Sequence, residues 1–317
     1  RCEAECTRGD VDEAVAIDEV KRFIADHDLH EATRYVPKLL NQIGRPYTEK
    51  IAVIGAGPAG MSCAYYLAVK GYPVTVFDRN PVPGGMLTLG IPSFRLEKDV
   101  VNAEIDVLKE LGVEFRFGVE VGKNMTLDAL RADGYKAIYL AVGASKGTPA
   151  GCPGDDLKGV FTGVEFLRAV NLGKRPAIGK QVAVIGGGHV GLEVAHFLCA
   201  NNKVTIVEMA DEIGASVYYI TKFKLLPMLR EAGVTFRTGQ AIAAVDDGGI
   251  RLRDTHTGQC TELKAEAVVL AMGSRPDLAA RAAFDRNFDH VVYAGDAVRG
   301  GTMLEANRDA FALAWEF

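Results

Sequence analysis

Two glycine-rich stretches carry the residue types and spacing that could do chemistry in this chain. The first is Gly55-Ala56-Gly57-Pro58-Ala59-Gly60, preceded by the apolar run Ile51 to Ile54. Such a continuous run reads as a strand of a parallel sheet, buried on both faces. In a G-x-G-x-x-G loop behind a strand, the first glycine permits the tight turn and the second lets backbone approach a pyrophosphate. The third lets the next helix pack on the strand. The helix expected from about Ala59 to Lys70 opens with free N–H groups and a positive dipole end, which suit a phosphate. Tyr72 to Phe77 reads as the next strand and delivers Asp78, 23 residues beyond Gly55, where a carboxylate can accept bonds from ribose hydroxyls. The same order recurs 131 residues later. A strand, Gln181 to Ile185, leads into Gly186-Gly187-Gly188-His189-Val190-Gly191. A helix to about Asn201 and a strand, Val204 to Val207, follow, and Glu208 falls 22 residues beyond Gly186. The repeat has the size of a domain, too long for a solenoid period.

Two complete fingerprints imply two dinucleotides, and a protein holding both generally passes a hydride or electrons between them. The chemically natural pair is a nicotinamide and a flavin. Such a protein needs little acid–base machinery of its own; its work is to bring the two rings to about 3–3.5 Å.

Size and composition agree with this reading. The 317 residues suffice for two domains with separate cores. An apolar content of 48% with 24% charged residues is that of an ordinary globular protein. Net charge is −5 and no basic block occurs, which argues against nucleic acid. Ile51 to Val69 holds no charge over 19 positions, yet three glycines and a proline break its first half, so it is not read as a membrane span. No signal peptide is read at the start. Of the six cysteines, Cys63, Cys152, Cys199 and Cys260 are scattered and read as small buried residues. No disulfide framework is suggested, and the expected compartment is the reducing cytoplasm.

The positions around the loops must hold them in place. Residue 1 is Arg, which reads as a chain beginning inside a longer polypeptide. Cys2 and Cys6 form a C-x3-C pair, half of a four-cysteine iron–sulfur or zinc site. Asp10 is placed to cap a helix from about Val11 to Asp26, with Val11, Val15, Ile17, Val20, Phe23 and Ile24 as its apolar stripe. Residues 27–48, with Pro37, Gly44 and Pro46, read as a linker draped over the first domain, with His27 and His30 solvated. Beyond Asp78, Gly84 and Gly85 can bring backbone N–H groups close to a ligand. Leu96 to Leu111 reads as a helix, Val113 to Val121 as a strand, and Ala137 to Val142 as a buried strand closed by Gly143. Gly147 to Gly159 looks like a domain crossover. In the second half, Leu225 to Ala232 ends a helix and residues 233–239 carry a short strand. Residues 241–264 alternate like a β-hairpin turning at Asp246 to Gly249. Ala267 to Ala271 reads as a buried strand ending at Met272-Gly273. Val291 to Ala294 leads into Gly295-Asp296, and a helix follows from about Thr302.

These residues carry a resemblance. The arrangement resembles the two-dinucleotide-binding-domain flavoproteins of glutathione-reductase-like architecture, and is most similar to the glutamate synthase small-subunit family of FAD/NAD(P)H oxidoreductases. The features that carry it are the Cys2/Cys6 pair, Val15 to Ile17 with Lys21 to Asp26, the first glycine fingerprint, Gly84-Gly85-Met86-Leu87 with Gly90 to Leu96, and Asp296 within residues 294–301. The last third is also similar to the pyridine-nucleotide half of flavin oxidoreductases of the 2,4-dienoyl-CoA reductase kind.

The resemblance implies an α/β fold of two Rossmann-like domains, the NAD domain inserted in a split FAD domain, behind a short N-terminal helical segment. Residues 1–48 would be the remnant of an iron–sulfur/helical domain and linker, 49–160 with 275–317 the FAD-binding domain, and 161–274 the NAD(P)-binding domain. By position, Gly55, Gly57, Ala59 and Gly60 cradle the FAD pyrophosphate and Asp78 takes the adenosine ribose, with Arg79 beside it. Gly85, Met86 and Leu87 approach the flavin side and Arg95 its phosphates. Val121 sits at the adenine and Gly143 near the ribose. Gly295 and Asp296 serve the ribityl chain, and the helix opening at Thr302 and Met303 points its N-terminus at the flavin ring, where its dipole favours a reduced flavin's charge. In the second site, Gly186, Gly188 and Gly191 hold the nicotinamide dinucleotide, with the amides of His189 and Val190 near its phosphates and Gly273 alongside.

Glu208 suits a ribose 2′-OH and repels a 2′-phosphate, and Met209 to Ser216 offer no Arg or Lys to pair with one, so NADH is expected over NADPH. No C-x2-C or C-x4-C pair occurs, so thiol–disulfide chemistry is not expected. The functional expectation is an enzyme that passes electrons from NADH through FAD to iron–sulfur centres of the same protein or of partner subunits. Cys2 and Cys6 would supply part of one cluster and outside residues the rest. The rival reading is a non-catalytic flavoprotein relay or scaffold with a vestigial nicotinamide site.

Overall fold

The computed structural model describes residues 2–3, 5–40, 47–276, 278–286, 291–298 and 300–316; Gly44 and Pro46 of the expected linker lie outside them. A 3₁₀ turn at Thr7–Asp10 precedes α1 (Ile17–His30), so the helix expected from Val11 begins six residues later. The cause is local. Arg8 grips Asp12 with Nε and Nη2, and Asp12 Oδ1 accepts from the Glu13 N–H at 2.7 Å, which satisfies this stretch without a helix. Val11, Val15, Val20, Phe23 and Ile24 are exposed, so the expected stripe is not buried by the described residues. The segment behind α1 does lie on the next unit. Arg34 joins Asp28 to Glu104, the Leu40 N–H donates to Val69 O at 2.7 Å, and Tyr47 stacks on Tyr72 with centroids 4.0 Å apart.

The first unit runs β1 (Lys50–Ile54), α2 (Pro58–Lys70), β2 (Val74–Asp78), α3 (Met86–Leu89), α4 (Lys98–Glu110), β3 (Glu114–Phe117), α5 (Leu127–Ala132) and β4 (Tyr135–Leu140). Its sheet is parallel in the order β3-β2-β1-β4. β1 is buried from Ile51 onward, as a strand covered on both faces requires. α2 buries Ala59, Gly60, Cys63, Ala64, Leu67 and Ala68, a spacing of three and four that turns one face to the sheet. β3 is shorter than expected because Gly118, at φ +70°, turns the chain away.

The chain then crosses to a second unit: β5 (Lys146–Gly147), β6 (Val160–Thr162), α6 (Gly163–Asn171), β7 (Gln181–Ile185), α7 (His189–Leu198), β8 (Lys203–Val207), α8 (Tyr219–Glu231), β9 (Thr235–Arg237), β10 (Gln240–Asp246), β11 (Gly249–Asp254), β12 (Cys260–Lys264), β13 (Ala267–Leu270) and β14 (Ser274–Arg275). Its parallel sheet has the order β9-β8-β7-β13-β6, and β9-β8-β7-β13 reproduces β3-β2-β1-β4. The duplication visible in the glycine loops is therefore a duplication of topology. The expected hairpin is a three-stranded antiparallel meander, β10-β11-β12. Asp254 Oδ1 accepts from the N–H groups of His256 and Thr257, closing the turn that adds the third strand.

β5 and β14 pair as an antiparallel ribbon at the two crossings between units. After α9 (Leu278–Asp285), Tyr293 bridges to Leu140, a 3₁₀ turn spans Gly295–Ala297, and α10 (Met303–Glu316) packs on α2. Ala306, Ala310 and Ala314, spaced by four, are the buried residues of α10 and let its backbone approach α2 closely. The last segment thus returns to the first sheet.

Candidate dinucleotide sites

In each parallel sheet one strand, β1 in the first and β7 in the second, ends in a glycine loop at the carboxyl edge, where open α/β sheets take their ligands. At the first, Gly55 has φ +113°, and a Cβ there would stand 2.3 Å from Ala141 O. A Cβ on Gly60 would stand 1.8 Å from Gly55 O, so α2 closes on the loop only with a glycine present. Asp78, at the end of β2, is 8% exposed. Its Oδ2 accepts from the Ala56 N–H at 2.7 Å, and its Oδ1 from the Asn80 N–H at 2.7 Å and Nδ2 at 2.8 Å. The carboxylate is thereby tied to the second residue of the loop.

Three further segments converge on this loop. The Gly84 N–H donates to Ala56 O at 2.8 Å, and Gly85, at φ +53°, lies so close that a Cβ would be 2.7 Å from Gly57 Cα. Met86 and Leu87 open α3 directly behind it. From the far end of the chain, Gly295 packs against Ala59 and Ala306, which brings Asp296 alongside α2. Burial pushes the Asp296 carboxyl above its usual range, opposed by the Gly301 N–H, which donates to Oδ1 at 2.9 Å. The Thr302 N–H donates to Glu305 Oε2 at 2.8 Å, a cap that sets the start of α10. Arg79 bonds Ser145 Oγ at 2.6 Å, Val121 bridges to Met125 at the rim, and Gly143 turns at φ +66° after β4.

Replacing Asp78 with alanine strands the buried Ala56 N–H as well as removing an acceptor, a cost of about 1–3 kcal/mol. The purified variant is expected to lose most of its bound flavin, measured by visible absorbance per mole of protein. Full retention would show that Asp78 carries no ligand role.

The second loop repeats the first. Gly186 has φ +111° and a Cβ would stand 2.5 Å from Ala271 O, while one on Gly191 would stand 1.8 Å from Gly186 O. Glu208, ending β8, accepts from the Gly187 N–H at 2.6 Å and from the Ala210 N–H at 2.9 Å. Gly188 caps α7, and His189 and Val190 form its first turn, whose N–H groups lack intrahelical acceptors. Beyond Glu208 the charges are Asp211, paired with His256 at 2.7 Å, and Glu212, paired with Lys222. Gly273, at φ +90°, accepts from the Thr148 N–H at 3.0 Å beside the crossing ribbon.

A seam between the two units holds residues that sequence reasoning did not single out. Glu193 on α7 is 9% exposed, and Arg95 Nε donates to its Oε1 at 3.2 Å. Arg95, assigned to phosphates by resemblance, is thus engaged by a carboxylate of the other unit. The signal was a lone acid inside the apolar stretch Val190 to Leu198. Phe94 meets the His196 ring at 4.2 Å, Asn171 Nδ2 donates to Leu89 O at 2.9 Å, and Arg168 Nη2 donates to Asn80 Oδ1 at 2.8 Å. Burial, helped by Arg95, holds His196 below the usual histidine range.

No two cysteines are joined among the described residues, and Cys63 lies buried in α2 with its thiol pushed up by desolvation, so it is inert. Near the start, Lys21 Nζ lies 3.0 Å from Cys2 Sγ, and backbone N–H groups of Val15, Arg8 and Gly9 hold the Cys6 thiol below its usual range. No group of three metal-ligating side chains occurs among the described residues.

Duplicated parallel sheets, each with a glycine loop tied to a strand-end carboxylate, define a two-dinucleotide oxidoreductase fold. The chain belongs to the pyridine nucleotide-disulphide oxidoreductase family, whose sequence model matches residues 49–290; the family binds FAD and NAD(P)H. It is 42% identical over 214 residues to the NADP(+)-dependent formate dehydrogenase subunit beta of Moorella thermoacetica, covering 61% of this chain and 30% of that one. It is 31% identical over 313 residues to the glutamate synthase [NADPH] small chain of Escherichia coli strain K12, covering 87% of this chain and 64% of that one. The chain thus spans 30% and 64% of the length of these two relatives. A 2-naphthoyl-CoA reductase complex shares the fold with a TM-score of 0.74 at 24% identity, over 86% of this chain and 41% of that one. No helix among the described residues is long and apolar enough to cross a membrane.

Proposed function

We propose that this chain is an FAD-dependent NADH oxidoreductase module that passes electrons from NADH, through FAD, to iron–sulfur centres of the same protein or of partner subunits. The carrying observation is the matched pair of cradles, Asp78 bonded to the Ala56 N–H and Glu208 to the Gly187 N–H. On this reading, 49–160 and 275–317 form the FAD-binding domain and 161–274 the NAD-binding domain, with 1–48 the remnant of an iron–sulfur segment. The return of Tyr293 and α10 to the first sheet supports the split. The reducing cytoplasm is the compartment that suits six unpaired cysteines.

The residues present fit the two groups. Gly55 and Gly60 stand where a Cβ would collide with backbone, Gly57 leaves the loop backbone bare as a pyrophosphate needs, and the start of α2 supplies N–H groups. Asp78 and Glu208 would each hold an adenosine ribose, and Asp296 the ribityl chain. The capped N-terminus of α10 would place a positive dipole end toward the flavin. FAD, when bound, supplies an acceptor for a hydride that can hand electrons on singly. The protein's own part is to bind, to orient the two rings and to exclude water. Cys2 and Cys6, with N–H groups aimed at the latter's sulfur, would give a cluster half its ligands. The formate dehydrogenase and glutamate synthase relatives, named as a subunit and a small chain, are parts of larger assemblies, which supports an electron-input role.

The test is anaerobic. The purified protein should carry a yellow chromophore, and NADH should bleach it within seconds. Bound flavin that dithionite bleaches and NADH does not would favour the scaffold reading. Against that reading, the second cradle keeps the geometry of the first at Gly186, Gly191 and Glu208.

A further inference from the structure

We propose that Lys98 is a positioning residue for this reaction: its ammonium fastens the Gly84–Ile91 segment to α4, while Arg95, three residues before it, pairs with the buried Glu193 of α7, setting the two cradles in register. The inference rests on reading the first cradle as the flavin site and the second as the nicotinamide site.

α3 has four residues and starts from a glycine at φ +53°, so it has no stability of its own and its end carbonyls need donors. Lys98 supplies one inside α3 and another just past it: Nζ donates to Leu87 O at 2.9 Å and to Ile91 O, while Leu89 O accepts from Asn171 Nδ2. Lys98 is the first residue of α4, which is anchored by buried Val101, Ile105, Val107 and Leu108. The ammonium therefore ties a weak segment to a rigid one. That weak segment is the one stacked on the first glycine loop, through Gly84 N–H to Ala56 O and Gly85 against Gly57.

The other half of the device lies on the second unit. Glu193 is two residues past Gly191, and its neighbours Leu192, Val194 and Ala195 are buried. A carboxylate in such a place is costly unless cations face it. Arg95 donates to it at 3.2 Å, and the charge of Glu193 acts on Lys98, opposing the burial that lowers the lysine's pKa. Arg95 stands just past the segment that covers the first cradle and Lys98 at the start of α4 that anchors it, while the anion stands one turn into the helix of the second. The other seam contacts named among the described residues are not ion pairs: Phe94 with His196, Asn171 with Leu89, and Arg168 with the Asn80 amide oxygen. Ring-to-ring transfer is sensitive to such registration, since a misplacement of about 1 Å costs on the order of 100-fold.

The experiment compares Lys98→Met, Lys98→Arg and Glu193→Gln in the FAD-loaded protein. Flavin reduction by NADH is followed anaerobically by stopped flow, giving a limiting rate and a coenzyme Kd, and FAD content and melting temperature are recorded beside them. Lys98→Met is expected to lower the limiting rate roughly 30- to 100-fold, within the range a misplaced ring gives, while Kd changes less than about threefold. Dithionite should still reduce it. Lys98→Arg, which keeps the charge and the donors, should recover most of the rate. Should Lys98→Met lose its flavin, Glu193→Gln decides, and its limiting rate should fall on its own. A wild-type limiting rate in Glu193→Gln or in flavin-loaded Lys98→Met overturns the inference. So does a defect that arginine fails to rescue and that follows the melting temperature. Failure of the underlying assignment looks different, because NADH would then leave even the wild-type flavin oxidised.

Discussion

Gly186→Ala is expected to purify with its flavin in place and to lose reduction by NADH. The added Cβ would sit 2.5 Å from the backbone oxygen of Ala271, at a φ of +111° that L-residues rarely adopt. The loop can accept it only by moving away from β13, and the N–H groups of Gly188 to Val190 then leave their positions. Backbone strain of this kind costs about 1–3 kcal/mol before the collision is counted, so coenzyme capture should weaken by roughly 100-fold, which corresponds to about 2.7 kcal/mol. Dithionite should bleach the variant as fast as the wild type. The matched substitution Gly55→Ala, whose Cβ meets Ala141 O at 2.3 Å, should instead yield colourless protein. If both variants lose flavin equally, or if Gly186→Ala is reduced normally by NADH, the assignment of one nucleotide to each cradle fails.

The second large effect concerns the choice of coenzyme. The Glu208 carboxylate is held by the Gly187 and Ala210 N–H groups, and Asp211 and Glu212 follow it. Two unit charges about 4 Å apart near a protein surface interact by roughly 4 kcal/mol, and a 2′-phosphate would bring up to two negative charges to this place. Even after screening, kcat/KM should favour NADH over NADPH by about 100-fold, or 2.7 kcal/mol. Glu208→Gln keeps one acceptor for the loop and removes the charge, and should shrink the preference to about tenfold or less. Two relatives are named for NADP(+) or NADPH, which sharpens the test. Faster reduction of the wild type by NADPH would refute the argument from charge.

Much of the site was legible because its logic is local. A strand, a glycine loop, a helix and a strand-end acid lie within the 29 residues Lys50 to Asp78, and each residue type answers a steric or hydrogen-bonding demand made by its near neighbours. The same locality explains why β7 was placed to the residue and β1 to within one. Where the deciding partner lay elsewhere, sequence reasoning stopped short. The third strand of the meander depends on Asp254 turning the chain with one side-chain oxygen. The helix expected at Val11 lost to an Arg8–Asp12 pair that periodicity does not register.

By itself the sequence determined the two glycine loops, their order along the chain and the carboxylate that ends the strand behind each, since backbone sterics and a spaced carboxylate act within one βαβ unit. Only the tertiary structure decided what stands between them. Arg95 meets Glu193 across 98 positions, Asn171 reaches Leu89 across 82, and Arg168 reaches Asn80 across 88. Such pairs follow from how two finished sheets settle against each other. Their energy is set by desolvation and approach, quantities that exist only once both surfaces have formed.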